Sequence, residues 1–143
     1  LYQWPVAMNG STEEGAQGLC PDGWHIPTDD EWKNLEMYLG IDIDELNEYG
    51  SRGTNQGDRL RKTIPNWCVE TDDCGETGFN ALPGGGRGSD GYLYNADSYG
   101  LWWASSYFGA LALGRELHSG TAGIVRGPAI NTEGKSIRCL LNQ

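Results

Sequence analysis

Basic residues are scarce in this chain: 10 Lys and Arg stand against 20 Asp and Glu over 143 residues, a formal charge of -10. A protein that grips a phosphate backbone needs clustered Lys and Arg, and a polybasic membrane anchor needs the same, so no nucleic-acid partner is expected. No apolar run approaches the roughly 20 residues of a spanning helix, so no membrane insertion by this domain is expected. Histidine is limited to His25 and His118, and no two cysteines stand as CxxC, which leaves zinc without a ligand set. Thiol catalysis also lacks a footing, because neither histidine neighbours a cysteine in a recognisable arrangement. No internal repeat is present. The glycine run Gly84-Gly85-Gly86 lacks the GxxxxGK[ST] pattern of a phosphate loop and reads as a turn that needs positive φ. The chain opens at Leu1 without an initiator Met or a signal-peptide pattern, so a piece of a longer or processed protein is expected.

What is present is glycine and aromatics. Twenty-two glycines stand beside 6 Trp, 7 Tyr and 2 Phe, although hydrophobic residues make up only 38%. Disordered segments lack aromatics, so the composition implies one folded, loop-rich domain over 1–143, large enough to bury about two-thirds of its surface. Cys20, Cys68, Cys74 and Cys139 allow three pairings. The economical one joins Cys68 to Cys74 around a short acidic loop and Cys20 to Cys139 across the chain, in an oxidising compartment. Buried reduced thiols are the alternative.

One helix is signalled strongly. Thr28 and Glu31 form a capping box, Asp29 and Asp30 add acid to the first turn, and Trp32, Leu35 and Leu39 recur on one face before Gly40. A second, shorter helix is expected over 41–49, with Ile43, Leu46 and Tyr49 sharing a face. From Gly50 to Gly100 glycine recurs too often for a helix, and ordered loops with short strands are expected. Trp102–Ser106, Leu111–His118, Gly123–Arg126 and Ser136–Leu141 read as strands. Helices first, loops next and a small antiparallel sheet last make an α+β domain.

At this point five ordered motifs carry a resemblance. Cys20-Pro21-Asp22-Gly23-Trp24-His25-Ile26-Pro27-Thr28, Glu31-Trp32, Gly78-Phe79-Asn80-Ala81-Leu82-Pro83-Gly84-Gly85, Trp103-Ala104-Ser105-Ser106 and Ser136-Ile137-Arg138-Cys139 closely resemble the Fibrobacter succinogenes major paralogous domain. The opening Tyr2-Gln3-Trp4-Pro5 and Ala7-Met8-Asn9-Gly10 match that family's entry segment. The resemblance implies a C-type-lectin-like fold with two helices, a long loop region and a terminal sheet presenting a variable face. It also implies ends stapled by Cys20 and Cys139, with Cys68–Cys74 as an addition, and a secreted or cell-surface protein of Bacteroidetes-like bacteria. The match thins between Tyr107 and Thr132, where Arg115, Leu117 and Arg126 still agree.

Few residues invite chemistry. His25, set between Trp24 and Ile26, reads as a hydrogen-bonded structural histidine. Asp42, Asp44, Glu45 and Glu48 read as a solvated acidic face, with calcium as an alternative there and at Asp72 and Asp73. The Glu-Pro-Asn and Trp-Asn-Asp motifs of calcium-dependent lectins are missing, no cofactor is implied, and nothing singles out a carboxylate pair for glycoside hydrolysis. The expected function is a non-enzymatic, surface-displayed ligand-binding module that takes a protein or a glycan. A glycan-active or oxidase-type enzyme on the same fold and a structural spacer are the alternatives.

The expected binding face lies on the terminal sheet. Consecutive side chains of a strand point to opposite sides, so one ring of the Trp102-Trp103 pair is expected in the core. The resemblance implies that it is Trp103, with Trp102 outward, and burial of both rings is the alternative. Along 111–118, Leu113, Arg115 and Leu117 share one side, and Gly114, Glu116 and His118 the other. The resemblance at Arg115 and Leu117 implies that the first side is structural, so Tyr107, Phe108, Glu116, His118 and Arg126 are expected to form one exposed patch with Trp102 at its edge. From Ala104 to Thr132 only Glu116 belongs to the set Glu, Lys, Gln, Met and Trp, which supplies 25 of the 143 residues. About five would be expected there by composition. Codons ending in C cannot encode those five types, the signature of adenine-directed diversification by a retroelement. A Gly- and Ala-rich sheet with ordinary codons is the plain alternative.

Overall fold

In the computed structural model, residues 1–69 and 71–143 are described. In chain order the elements are β1 (Tyr2–Gln3), α1 (Trp4–Ala7), β2 (Trp24–His25), α2 (Asp29–Tyr38), β3 (Gly50–Arg52) and α3 (Gln56–Leu60). A single 3-10 turn, Thr71–Asp73, is followed by β4 (Gly86–Arg87), β5 (Leu93–Tyr94), β6 (Tyr99–Phe108), β7 (Leu111–His118) and β8 (Ile124–Ala129). The chain finishes with β9 (Gly134–Lys135) and β10 (Leu140–Leu141). The architecture is α+β, with three small sheets ordered β1-β9-β4-β5, β10-β2 and β3-β8-β7-β6.

The helix α2 forms for the reason its sequence gives. Thr28 Oγ1 accepts the Glu31 N–H at 3.1 Å while Glu31 Oε2 accepts the Thr28 N–H at 2.9 Å, so two otherwise orphan donors are satisfied. The helix stops where Gly40 adopts φ +95° and donates to the Met37 carbonyl at 3.0 Å. Its inward face is not simply apolar: Asp29 and Glu36 are buried beside Trp32.

The expected second helix over 41–49 does not form, and three competitors explain why. Asp42 Oδ1 takes the Asp44 N–H at 3.0 Å, a local turn that competes with helix. Arg52 takes the Leu46 carbonyl at 2.8 Å and Arg126 takes the Asn47 carbonyl at 2.8 Å. Of the three residues expected to share a face, only Leu46 is buried. The short α3 was not foreseen; its first turn is capped from afar by the Ala122 carbonyl, which accepts from Gly57 N–H at 2.7 Å.

The largest sheet is covered on both faces. On one side Trp32, Leu39, Leu46, Leu60, Trp67, Trp102, Leu113 and Leu117 pack together. On the other, Trp103 and Ala112 meet Trp4, Ala7, Met8, Cys20 and Ile26. Strand β7 matches its expected span, β6 is longer at both ends, and β8 starts one residue late and continues to Ala129. The register between β6 and β7 shifts from Trp103 to Tyr107. There the two serines bond elsewhere: Ser105 Oγ accepts from Gly15 N–H and Ser106 Oγ from Asp29 N–H, both at 2.9 Å. The Trp103-Ala104-Ser105-Ser106 motif thus ties the sheet to the entry loop and to the start of α2.

The expected strand Ser136–Leu141 is split. Ser136 bridges to Trp102, while Leu140 and Leu141 pair with His25 and Trp24, because Cys139 is held by Cys20 between the two sheets. That disulfide has Cα atoms 5.7 Å apart, inside the usual bonding range. Cys68 and Cys74 are also bonded, Cα atoms 6.1 Å apart, so both expected pairings are present.

Candidate functional site

A charged layer fixes the sheet against α2. Arg115 Nη1 reaches Asp29 Oδ1 at 2.7 Å, Arg126 Nη2 reaches Asp29 Oδ2 at 2.7 Å, and Arg115 Nε and Arg52 Nη2 reach Glu36 Oε1 at 2.5 and 2.8 Å. All five side chains are buried. Burial alone would raise the Asp29 pKa, but Arg126, Arg115 and Lys33 outweigh it and hold the carboxyl well below its ordinary range. The same partnership raises the Arg126 pKa.

From this layer Arg126 also reaches outward. Its guanidinium lies 4.5 Å from the centre of the Tyr49 ring, and Tyr49 meets Phe108 edge-on with ring centres 5.4 Å apart. Phe108 is 54% exposed and Tyr49 46%. Beside them a shallow polar cleft of about 210 Å³ is lined by Asp30, Ser106, Tyr107, Tyr49 and Arg126. Tyr107 leans on Trp4, ring centres 4.5 Å apart, and is half-buried. Three of the expected site residues, Tyr107, Phe108 and Arg126, are therefore brought together, and Tyr49 joins them.

The other three are elsewhere, which corrects the expected single patch. Glu116 and His118 lie on the opposite side of the sheet from Arg126, because Arg126 pairs with Arg115 and the alternation puts Glu116 on the Trp103 face. There Glu116 accepts from Lys135 Nζ at 2.9 Å and sits 2.9 Å from His118 Nε2, while His118 stacks on Tyr99 with ring centres 3.9 Å apart. Burial would raise the Glu116 pKa, yet His118 and Lys135 lower it to about 2. Trp102 is not an edge residue: at 6% exposure it is buried against Phe79, their ring centres 6.2 Å apart. Both rings of the Trp102-Trp103 pair enter cores because both sheet faces are covered.

His25 is hydrogen-bonded as expected, with Nε2 at 2.9 Å from Glu31 and Nδ1 at 2.7 Å from Asn142. Partial burial lowers its pKa, but Glu31 and Asn142 outweigh that and raise it. Among the described residues no group of three or more His, Cys, Asp or Glu gathers in a way that could hold a metal ion. Asp42 and Glu45 cap backbone N–H groups, and Asp73 accepts from Asn55 Nδ2 at 2.7 Å. Glu70, in the loop between Cys68 and Cys74, lies outside the described residues. No helix among the described residues is long and apolar enough to cross a membrane.

Sequence reasoning missed a second concavity, a largely apolar pocket of about 320 Å³ between α2 and the C-terminal arm. Trp32, Leu35, Phe79, Arg138 and Leu140 line it. The available signal was that Phe79 and Arg138 both fall inside motifs that carry the family resemblance, although neither is needed for a turn or a disulfide.

These features belong to a disulfide-bonded α+β domain, and two disulfides suit an oxidising, non-cytoplasmic compartment. The model of the Fibrobacter succinogenes major domain matches residues 1–140, so the chain belongs to that family. No curated protein and no solved structure matches it.

Proposed function

We propose that this chain is a non-enzymatic, surface-displayed ligand-binding module of adhesin type on a C-type-lectin-like fold. Its binding face is Tyr49, Tyr107, Phe108 and Arg126. The observation that carries this reading is the exposed Tyr49–Phe108 pair, held in place by a guanidinium that is itself locked to buried Asp29. Rigid, half-exposed aromatics beside convergent polar groups are the composition of binding sites and cost little ordering on contact. A sugar is the occupant this chemistry fits best: a ring face stacks on Phe108 or Tyr49, and its hydroxyls reach the polar groups of the cleft, Asp30 and Ser106 among them.

The ends drawn together by β1 against β9 and by Cys20–Cys139 support the lectin-like reading. Buried Asp29 and Glu36 are both engaged by guanidinium groups, which supports binding over hydrolysis. The scarcity of Glu, Lys, Gln, Met and Trp from Ala104 to Thr132 fits a diversified terminal segment, and codons read from the locus test it.

The test is a glycan array probed with the purified domain, alongside Tyr49→Ala and Phe108→Ala. Specific binding that drops about tenfold or more in both variants, with unchanged thermal stability, supports the site. No binding to any glycan on the array overturns the sugar as occupant, and turnover of any glycan or binding indifferent to both substitutions overturns the site.

A further inference from the structure

Five tryptophans are buried around the sheet and α2, Trp4, Trp32, Trp67, Trp102 and Trp103, and three of them donate their indole N–H to a backbone carbonyl. Trp4 donates to the Ala104 carbonyl at 2.8 Å, Trp67 to Ala81 at 2.9 Å and Trp103 to Tyr2 at 2.7 Å. Trp32 carries the one indole nitrogen that, among the described residues, is wholly buried without a partner. It is 4% exposed, and its Nε1 has no acceptor among the described residues. A buried indole N–H normally finds a partner, because leaving it dry costs the desolvation of the donor.

Trp32 lines the pocket between α2 and the C-terminal arm, where Leu35, Phe79 and Leu140 supply apolar surface. Its ring centre is 5.9 Å from that of Phe79, and the Arg138 guanidinium lies 4.1 Å from the centre of the same Phe79 ring. Arg138 is exposed and, among the described residues, makes no ion pair or hydrogen bond, unlike the arginines of the charged layer. The pocket's own carboxylate, Glu31, is committed to His25 and to the Thr28 N–H and hydroxyl. An apolar cavity thus carries one uncommitted cation at its lining and one uncommitted buried donor.

We propose that this pocket binds a small apolar carboxylate. The hydrocarbon or aryl part packs against Leu35, Phe79 and Leu140, the carboxylate pairs with Arg138, and the Trp32 N–H is offered to a ligand oxygen. Arginine suits this role because its fork matches a carboxylate and its face stacks on an aromatic ring, as it already does here. The net charge of -10 opposes anions at long range, but salt screens that field within about 8–10 Å, so the adjacent cation decides. The volume lies at the small end of ligand pockets, which favours a single ring or branched chain. This site shares no lining residue with the Tyr49–Phe108 cleft and stands or falls independently of it.

The test titrates the uniformly nitrogen-15-labelled domain with 3-phenylpropionate and, separately, with its neutral amide. The Trp32 indole resonance is assigned by its disappearance in Trp32→Phe; if that variant does not fold, selective labelling serves. Expected is a saturable shift of that resonance by the acid, with Kd on the order of 0.1–1 mM for a ligand this size. The amide should bind about tenfold more weakly, and Arg138→Gln should abolish the preference without loss of thermal stability, since Arg138 is exposed. N-acetylphenylalanine separates two sources of the same chemistry: equal or tighter binding assigns the pocket to a peptide C-terminus, weaker binding to a free acid. No saturable shift by about 10 mM ligand, acid and amide binding alike, or an Arg138→Gln variant that keeps the preference each overturn the proposal.

Discussion

Arg115 and Arg126 stand opposite each other on β7 and β8 and close on one carboxylate, each with a terminal nitrogen 2.7 Å from Asp29, one on Oδ1 and the other on Oδ2. Two like charges side by side on a sheet would repel, so the pairing depends on the acid that α2 supplies between them. Glu36, further along the same helix face, does likewise for Arg115 and Arg52. Three strands therefore read the rotational setting of one helix through directional bonds. That setting places Arg126 under Tyr49 and Trp32 over Phe79, so both candidate binding regions depend on it.

Removing one acid from this layer leaves buried guanidinium groups without their partner. Asp29→Asn and Glu36→Gln should each lower unfolding free energy by about 3–5 kcal/mol, the usual result of breaking a buried ion pair. Urea denaturation checks it. A loss below about 1 kcal/mol in both variants would mean the layer is solvated in solution and does not set the helix.

Stability should fall off on both sides of mildly acidic pH, for opposite reasons. Asp29 and Glu116 titrate lower folded than unfolded, where carboxyls sit near pH 4. Their contribution is complete above about pH 5 and is lost as pH falls from about 4 through about 2, the value held by Glu116. His25 is shifted the other way, so its contribution is complete below its ordinary value of about 6.5 and fades as pH rises through its raised folded value. Melting temperature against pH should show a steep acid limb and a shallow alkaline one. Glu116→Gln should flatten part of the acid limb; an unchanged limb would remove Glu116 from the account.

The two disulfides should differ in worth because they close loops of very different length, 119 against 6 residues of separation. Chain entropy gives about 5 kcal/mol for Cys20–Cys139 and about 2 kcal/mol for Cys68–Cys74. Paired Cys→Ser variants compared by thermal melts check the order. A larger loss at Cys68 and Cys74 would mean that pairing does more than shorten a loop.

Local signals were readable where the local sequence decides the structure. The Thr28–Glu31 box, the stop at Gly40 and the span of β7 are all set by neighbours along the chain. The segment 41–49 misled because its helical spacing competes with carbonyl acceptors taken by Arg52 and Arg126, whose approach only the tertiary fold brings about. Alternation on β7 was right, but exposure cannot be read from alternation when both faces of a sheet are covered. Tyr107 and Phe108 were legible as members of the stretch where the resemblance thins, and Arg126 as a residue within it that still agrees. Tyr49 was not, since its partners come from β6 and β8, far along the chain.

The contrast between Trp102 and Phe108 separates core from site most directly. Trp102 packs against Phe79 at 6% exposure, whereas Phe108 shows about half its surface to solvent and meets Tyr49 edge-on. Truncating a buried tryptophan loses its transfer free energy and leaves a cavity, so Trp102→Ala should cost about 3–5 kcal/mol. Phe108→Ala removes an exposed ring and should cost under about 1 kcal/mol. Ligand binding should respond in the reverse order: Phe108→Ala loses affinity in a fully folded domain, while Trp102→Phe, which keeps most of the buried volume, retains it. Urea melts and binding isotherms on the same preparations decide the matter. If Trp102→Phe abolishes binding while Phe108→Ala preserves it, the site lies behind the sheet and the Tyr49–Phe108 face is only surface.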